Sequence, residues 1–238
     1  MMAAFVACKD DEEAPNAISS DEAAVMMSSS LASNSSGVTF VSKEAANESE
    51  DIMEDNANGR VAACGVSQNI DLSGSSPAGG VISWSYDFNY NFRLNCSAAD
   101  APESITVSLS YNGDFDGPKL AVEHSGLSEL QVTGLDVSVN DFLLNGFYKR
   151  SGSFEIKEGD KKTGDGNIEI TIIDVTVSKE THKIVSGSGK FLLSGSVSDK
   201  GSFKYEGTVD FVGNESANLK IKSEVYAVNL ANGDVTKK

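Results

Sequence analysis

Ile82-Ser83-Trp84-Ser85-Tyr86-Asp87-Phe88-Asn89-Tyr90-Asn91-Phe92-Arg93-Leu94-Asn95-Cys96 decides the fold class, because every even position is apolar and every odd one polar. Successive side chains of an extended chain point to opposite faces. A period of two therefore predicts a long strand with an aromatic inner face and a hydrated outer one. The alternation recurs at Ile105, Val107, Leu109 and Tyr111, at Ile168, Ile170 and Ile172, at Phe203 and Tyr205, at Val209 and Phe211, and at Leu219 and Ile221. Turn-forming clusters separate these runs: Asn112-Gly113-Asp114, Gly159-Asp160 through Gly164-Asp165-Gly166-Asn167, Ser198-Asp199-Lys200-Gly201, and Gly213-Asn214-Glu215. Short turns of this kind join antiparallel neighbours. After Ile172 the apolar phase moves from even to odd, at Val175 and Val177, which predicts a β-bulge. We expect an all-β domain over residues 61–238: a curved antiparallel meander of eight to ten strands forming a roll, barrel or sandwich.

The chain before this domain has a different composition. Of 238 residues, the first 60 carry 12 acidic and 3 basic side chains (net −9) and the remaining 178 carry 23 and 16 (net −7), which sum to the overall −16. A short helix near residues 20–32 is predicted, with Ser20 as cap, Asp21 and Glu22 in its first turn and Ala23 to Met27 following. From Lys43 to Asn58 the residues are mainly Ala, Asn, Glu and Asp, with little to bury, and read as a mobile linker. Residues 8–60 are thus expected to be an acidic tether.

Phe5-Val6-Ala7-Cys8-Lys9-Asp10-Asp11-Glu12-Glu13 supplies the address. A small residue before a cysteine, itself preceded by apolar residues, is where bacterial lipoprotein precursors are cleaved and the cysteine acylated, which makes Cys8 the lipidation site and residues 1–7 a residual signal segment. Lys9 and the four acidic residues after it resemble the export signal of surface-exposed Bacteroidota lipoproteins. That resemblance implies anchoring in the outer membrane with the domain on the cell surface. With Cys8 acylated, Cys64 and Cys96 remain, 32 positions apart, and are expected to pair in an oxidising compartment; two buried free thiols are the alternative.

Further phrases extend the likeness. Asn145-Gly146-Phe147-Tyr148-Lys149-Arg150-Ser151-Gly152-Ser153, Val185-Ser186-Gly187-Ser188-Gly189 and Lys204-Tyr205-Glu206-Gly207-Thr208-Val209-Asp210-Phe211 resemble the repeated strand-and-turn phrases of uncharacterised Bacteroidota lipoproteins, as does the Cys64-Gly65 pair. The resemblance implies location and β architecture, and no activity or catalytic residue comes with it.

Charge and motifs exclude several chemistries. An acidic chain without a basic stripe is repelled by nucleic acid and by anionic membrane surfaces, and no apolar stretch reaches the 18 residues of a transmembrane helix. Ser186-Gly187-Ser188-Gly189-Lys190 looks like the end of a phosphate-binding loop, but Ile184 and Phe191 stand where glycine and a hydroxyl residue are needed. His124 and His182 lack neighbouring ligands and read as surface or loop histidines. No carboxylate pair is set apart for acid–base work, so we expect no enzyme and no cofactor beyond calcium. For calcium, Asn112, Asp114, Asp116, Gly117 and Glu123 follow the spacing of a calcium-binding loop at all but its first position, which usually carries Asp; an ordinary β-turn is the competing reading.

Two functions survive. The first is a lipid-anchored, surface-displayed module that binds a protein or glycan through loops such as Asn112–His124 and Gly159–Asn167. The second is a periplasm-facing carrier with an apolar ligand held against Trp84, Tyr86, Phe88, Tyr90 and Phe92 inside an incompletely closed roll.

Overall fold

The computed structural model describes residues 16–57 and 64–238. Two helices, α1 (Ser20–Leu31) and α2 (Val38–Ala57), are separated by a single 3-10 turn (Ser33–Ser35). Eleven strands follow: β1 (Ser67–Ser75), β2 (Ser83–Cys96), β3 (Pro102–Asp116), β4 (Leu120–Thr133), β5 (Asp141–Ile156), β6 (Lys162–Ser178), β7 (Ile184–Val197), β8 (Gly201–Gly213), β9 (Ser216–Ile221), β10 (Glu224–Asn229) and β11 (Val235–Lys237). They form one sheet in chain order from β1 to β11, each strand antiparallel to its neighbours, with β1 and β11 as open edges. The all-β meander expected from the alternation is therefore present. It has eleven strands rather than eight to ten, because β1, β10 and β11 are short or weakly apolar and give little periodic signal.

Both helices lie against the inner face of the sheet, and the sheet curls around them. Phe40 of α2 stacks on Phe88 of β2 (ring centroids 5.2 Å apart) and leans on Tyr86 (5.0 Å). At the other end of the sheet, the Tyr226 hydroxyl on β10 donates to Asp21 of α1 (2.6 Å). Between these limits the Tyr148 hydroxyl donates to the Ser36 carbonyl (3.0 Å), and the Tyr205 hydroxyl donates to the carbonyl of Ile18. One continuous core joins the helices to the inward residues of β2 to β10. Size complementarity makes this fit work. The sheet contributes large side chains such as Tyr90, Phe92, Tyr148 and Phe142, while the buried helix faces are mostly Ala and Ser: Ala23, Ala24, Ser28, Ser29, Ser30, Ser42, Ala45, Ala46 and Ser49. Only slender helices can enter a curled sheet lined with aromatics at interior packing density.

This corrects the expected tether. Residues 16–57 form part of the domain core, and the stretch from Lys43 is the greater part of α2. Its buried positions, Val38, Val41, Ser42, Ala45, Ala46, Ser49 and Ile52, recur at intervals of three and four. Each buries little area, so the helix draws its stability from the sheet it packs against. The α1 helix lies where expected, with its cap one residue earlier. Glu22 N–H donates to Ser19 Oγ (3.2 Å) and Ser19 N–H to Glu22 Oε2 (2.6 Å), a reciprocal capping box. Lys162 of β6 also reaches Glu22 (2.7 Å), pinning the start of α1 to the sheet.

The bulge predicted after Ile172 is present as register shifts between Ile173 and Val177 on β6, with Asp174 at φ +49°. Toward β5 the same bulge sets Ile173 and Asp174 against the single residue Asn145. The bulge is tied to β5: Asn145 Nδ2 donates to Asp174 Oδ1 (3.0 Å), and Asp174 N–H donates to Asn145 Oδ1 (2.9 Å). Such a bulge raises the local twist and helps to close the curl. Two expected turns are corrected. Asn112-Gly113-Asp114 lies within β3, the chain reversing instead at Gly117, whose N–H donates to the Leu120 carbonyl (2.9 Å), and Gly164 to Asn167 lie within β6.

Candidate functional site

The anticipated calcium loop does not form. Asn112, Asp114 and Asp116 are alternate, outward-facing residues of β3, and Glu123 is the outward residue of β4 directly opposite Asp114. In an extended strand, side chains two apart stand roughly 6.5 Å from one another in a row, so they cannot wrap a common centre. Asp114 accepts from Ser85 Oγ (2.8 Å), and Asp116 is taken by Lys157. Among the described residues no three His, Cys, Asp or Glu side chains are grouped to hold a metal ion.

These residues do share a surface. Across the outer face of β1 to β6, cross-strand register aligns Ser73, Asp87, Asn112, Ser125, Ser151 and Asn167 in one row. Beside it runs Asp71, Asn89, Ser110, Leu127, Lys149 and Glu169, and on the other side Ser85, Asp114, Glu123, Ser153 and Asp165. The first two rows line a shallow trough of about 730 Å³. Its floor is short hydroxyl and amide side chains, and its one exposed large apolar residue is Leu127. Lys149 is paired with Glu169 (3.1 Å), which leaves a surplus of carboxylates on this face. Spacings of about 5 Å across strands and 6.5 Å along them present a lattice of hydrogen-bonding groups to anything laid on it.

Beneath the trough lies a buried cation. The Arg150 side chain points inward from β5, and its Nη1 donates to the carbonyls of Ser29 (3.3 Å) and Ser35 (3.4 Å) and to Ser30 Oγ (3.5 Å). These groups belong to the last turn of α1 and the 3-10 turn after it, where helical carbonyls lack partners and the helix dipole favours positive charge. Arg150 Nη2 donates to Nδ1 of His124, 3.0 Å away. His124 is not on the surface as expected but 4% exposed. Burial, and then the adjacent guanidinium, hold its pKa down to about 2. The ring is therefore neutral with its proton on Nε2, an atom without a hydrogen-bond partner among the described residues. Tyr111 meets the same ring edge-on, at 5.8 Å between centroids. Glycines opposite this cluster let the layers approach: a Cβ at Gly126 would run into the Tyr111 ring, and one at Gly152 into the carbonyl of Glu123. Sequence reasoning missed this centre because both residues are polar. The available signal was parity: His124 and Arg150 occupy inward positions of their strands.

The remaining sites are as follows. Cys64 and Cys96 form a disulfide with Cα atoms 5.7 Å apart, fixing the chain just before β1 to the end of β2. Cys8 lies outside the described residues. His182 sits in the β6–β7 turn, its Nε2 2.7 Å from Glu50 of α2. A cavity of about 120 Å³ remains between α1, the β3–β4 turn and the β10–β11 turn, lined in part by Val25, Phe115, Leu120 and Val235. Among the described residues no helix is long and apolar enough to cross a membrane. No family model matches the chain, and no curated protein or solved structure does so either.

Proposed function

We propose that this chain is a lipid-anchored domain displayed on the outer membrane surface, which binds a polar partner, a glycan or a protein segment, across the outer face of β1 to β6. One observation carries the binding surface: a trough of about 730 Å³ paved with aligned Ser, Asn and Asp side chains. A solvated sheet face needs only scattered charge for solubility. Rows of short side chains over six strands instead leave an open hydrogen-bonding lattice of the kind that a chain of hydroxyls or amides can follow. The anchor is supported by the residues around Cys8 and the acidic run after it, and an extracytoplasmic location agrees with the Cys64–Cys96 bridge.

The carrier reading has less support. The helices occupy the space that an apolar ligand would need; the cavity beside α1, about 120 Å³, is smaller than the roughly 150 Å³ that holds a single benzene, and the gap of about 260 Å³ beside α2 is lined by Lys43, His182, Lys183 and Glu215. Protease treatment of intact cells tests display: release of the domain supports it, and full protection removes it. For the surface, the full-length protein is probed on a panel of immobilised polysaccharides and host-surface proteins, beside an Asn112→Arg/Ser151→Trp variant. Binding should fall at least tenfold in the variant with the melting temperature unchanged. Equal binding by the two proteins would dismiss the trough as the site.

A further inference from the structure

The two edges of the open sheet are built differently. β11 is three residues long, ends in Lys237 and is followed by Lys238, a short lysine-bearing edge of the kind that resists pairing with other chains. β1 is nine residues long, contains neither Pro nor Lys, and pairs with β2 without a register shift. Among the described residues nothing pairs with its other side. The phase of the ladder identifies the open groups. Ser76 N–H donates to the Trp84 carbonyl, so the even residues of β1 bond to β2. The N–H and C=O groups of Ser67, Asn69, Asp71, Ser73 and Ser75 therefore point outward from the edge. Their side chains do not cover it. Asn69 accepts from Asn91 (2.7 Å) and Asp71 from Asn89 (2.6 Å), so both lean back over β2. Ile70, Leu72 and Tyr86, on the inner face beside the edge, are only partly buried.

An extended backbone laid alongside would bond every open group of such an edge in register. We propose that it pairs with β1 of a second copy of this chain, forming a two-fold dimer with one sheet running through both subunits. Self-pairing about Asp71 opposes all nine residues and satisfies every open group. Ser67 then meets Ser75, Asn69 meets Ser73, and on the inner face Ile70 meets Leu72, so apolar residues face apolar ones. Pairing of β1 with β11 of another copy would run head to tail without closing, and the lysine-bearing edge opposes it. One contact is unfavourable: Asp71 faces its own counterpart. A nine-residue strand pair also buries less than the roughly 1,200 Å² of stable interfaces, so the dimer is weak and depends on concentration.

Sedimentation velocity of the full-length protein over a hundredfold concentration range, together with amide exchange at Asn69, Asp71 and Ser73, tests this. Dimer and protection should rise together with concentration. Ser73→Pro removes an edge-facing N–H and leaves the β1–β2 ladder intact; it should abolish the dimer while the Leu72 amide stays protected. Asp71→Asn removes the like-charge contact and should tighten the dimer about threefold. A protein that is monomeric throughout overturns the proposal. So does a dimer that persists in Ser73→Pro, since it must use another surface.

Discussion

Acid should weaken this domain through one imidazole. His124 is buried beside Arg150, and its pKa is held near 2 in the folded protein, against an ordinary value near 6.5. The sign follows from the direction of the shift. Below pH 6.5 the unfolded chain takes up a proton on His124 while the folded chain does not, so stability falls as pH drops through that value. The loss continues until the folded-state pKa is reached. Each pH unit in this window costs about 1.4 kcal/mol, so at pH 4.5 the domain should have lost about 2.7 kcal/mol relative to neutral pH. That is a large share of a typical folding free energy of ~5–15 kcal/mol. Other groups titrate in the same range. Burial raises the pKa of Glu44, and burial with the nearby Asp51 and Glu44 raises that of Glu48, so both contribute stability as pH falls. For Glu22 burial acts upward but is outweighed by hydrogen bonds from Lys162 and Ser19, so its contribution is lost in acid. A His124→Gln variant cancels these terms. It keeps an acceptor for Arg150 and never takes up a proton. Urea unfolding of both proteins from pH 7 to 4.5, followed by the single tryptophan, Trp84, should show the difference in stability shrinking by about 2–3 kcal/mol in the variant's favour. Parallel pH profiles would refute the buried neutral histidine.

Three further outcomes follow from particular contacts. Replacing Cys64 and Cys96 by Ala opens a loop spanning 32 positions and should cost about 3.7 kcal/mol in the chain-entropy model, read as a lower urea midpoint than that of the oxidised protein. Tyr148→Phe removes the hydrogen bond to the Ser36 carbonyl and should destabilise by about 1 kcal/mol, leaving that carbonyl for water or Arg150. Gly152→Ala drives a methyl group into the Glu123 carbonyl within the β4–β5 pair, and should cost about 3 kcal/mol or more or prevent soluble expression. A variant with wild-type stability would show that the strands can separate locally at little cost.

The legibility of the fold tracked the size of the side chains. In β2 the alternation of aromatic and polar residues left one assignment open, and the phase change after Ile172 located the bulge on β6. At α2 the spacing of buried positions was equally regular, but Ala and Ser at those positions carry little hydrophobic weight, and the stretch looked like linker. The Asn112–Glu123 stretch failed for another reason: Asn, Gly and Asp are turn residues by local preference, yet pairing with β2 and β4 on both sides held them extended. Local propensity in strands yields to such neighbours. The outer trough was invisible for a related reason, since its rows run across strands far apart in sequence, and register alone brings Asp87, Asn112, Ser125 and Ser151 side by side.

The sequence by itself determined a period-two, antiparallel body and the position of α1, because each rests on neighbours in the chain, whereas the cysteine pairing it left open was decided by the fold that brings Cys64 to Cys96. Tertiary structure alone decided that the helices fill the curl of the sheet, that His124 and Arg150 meet beneath its polar face, and that β1 has an edge which no described residue pairs. Those outcomes depend on which surfaces fit at close packing and on where an eleven-stranded sheet stops, quantities that no local stretch of residues encodes.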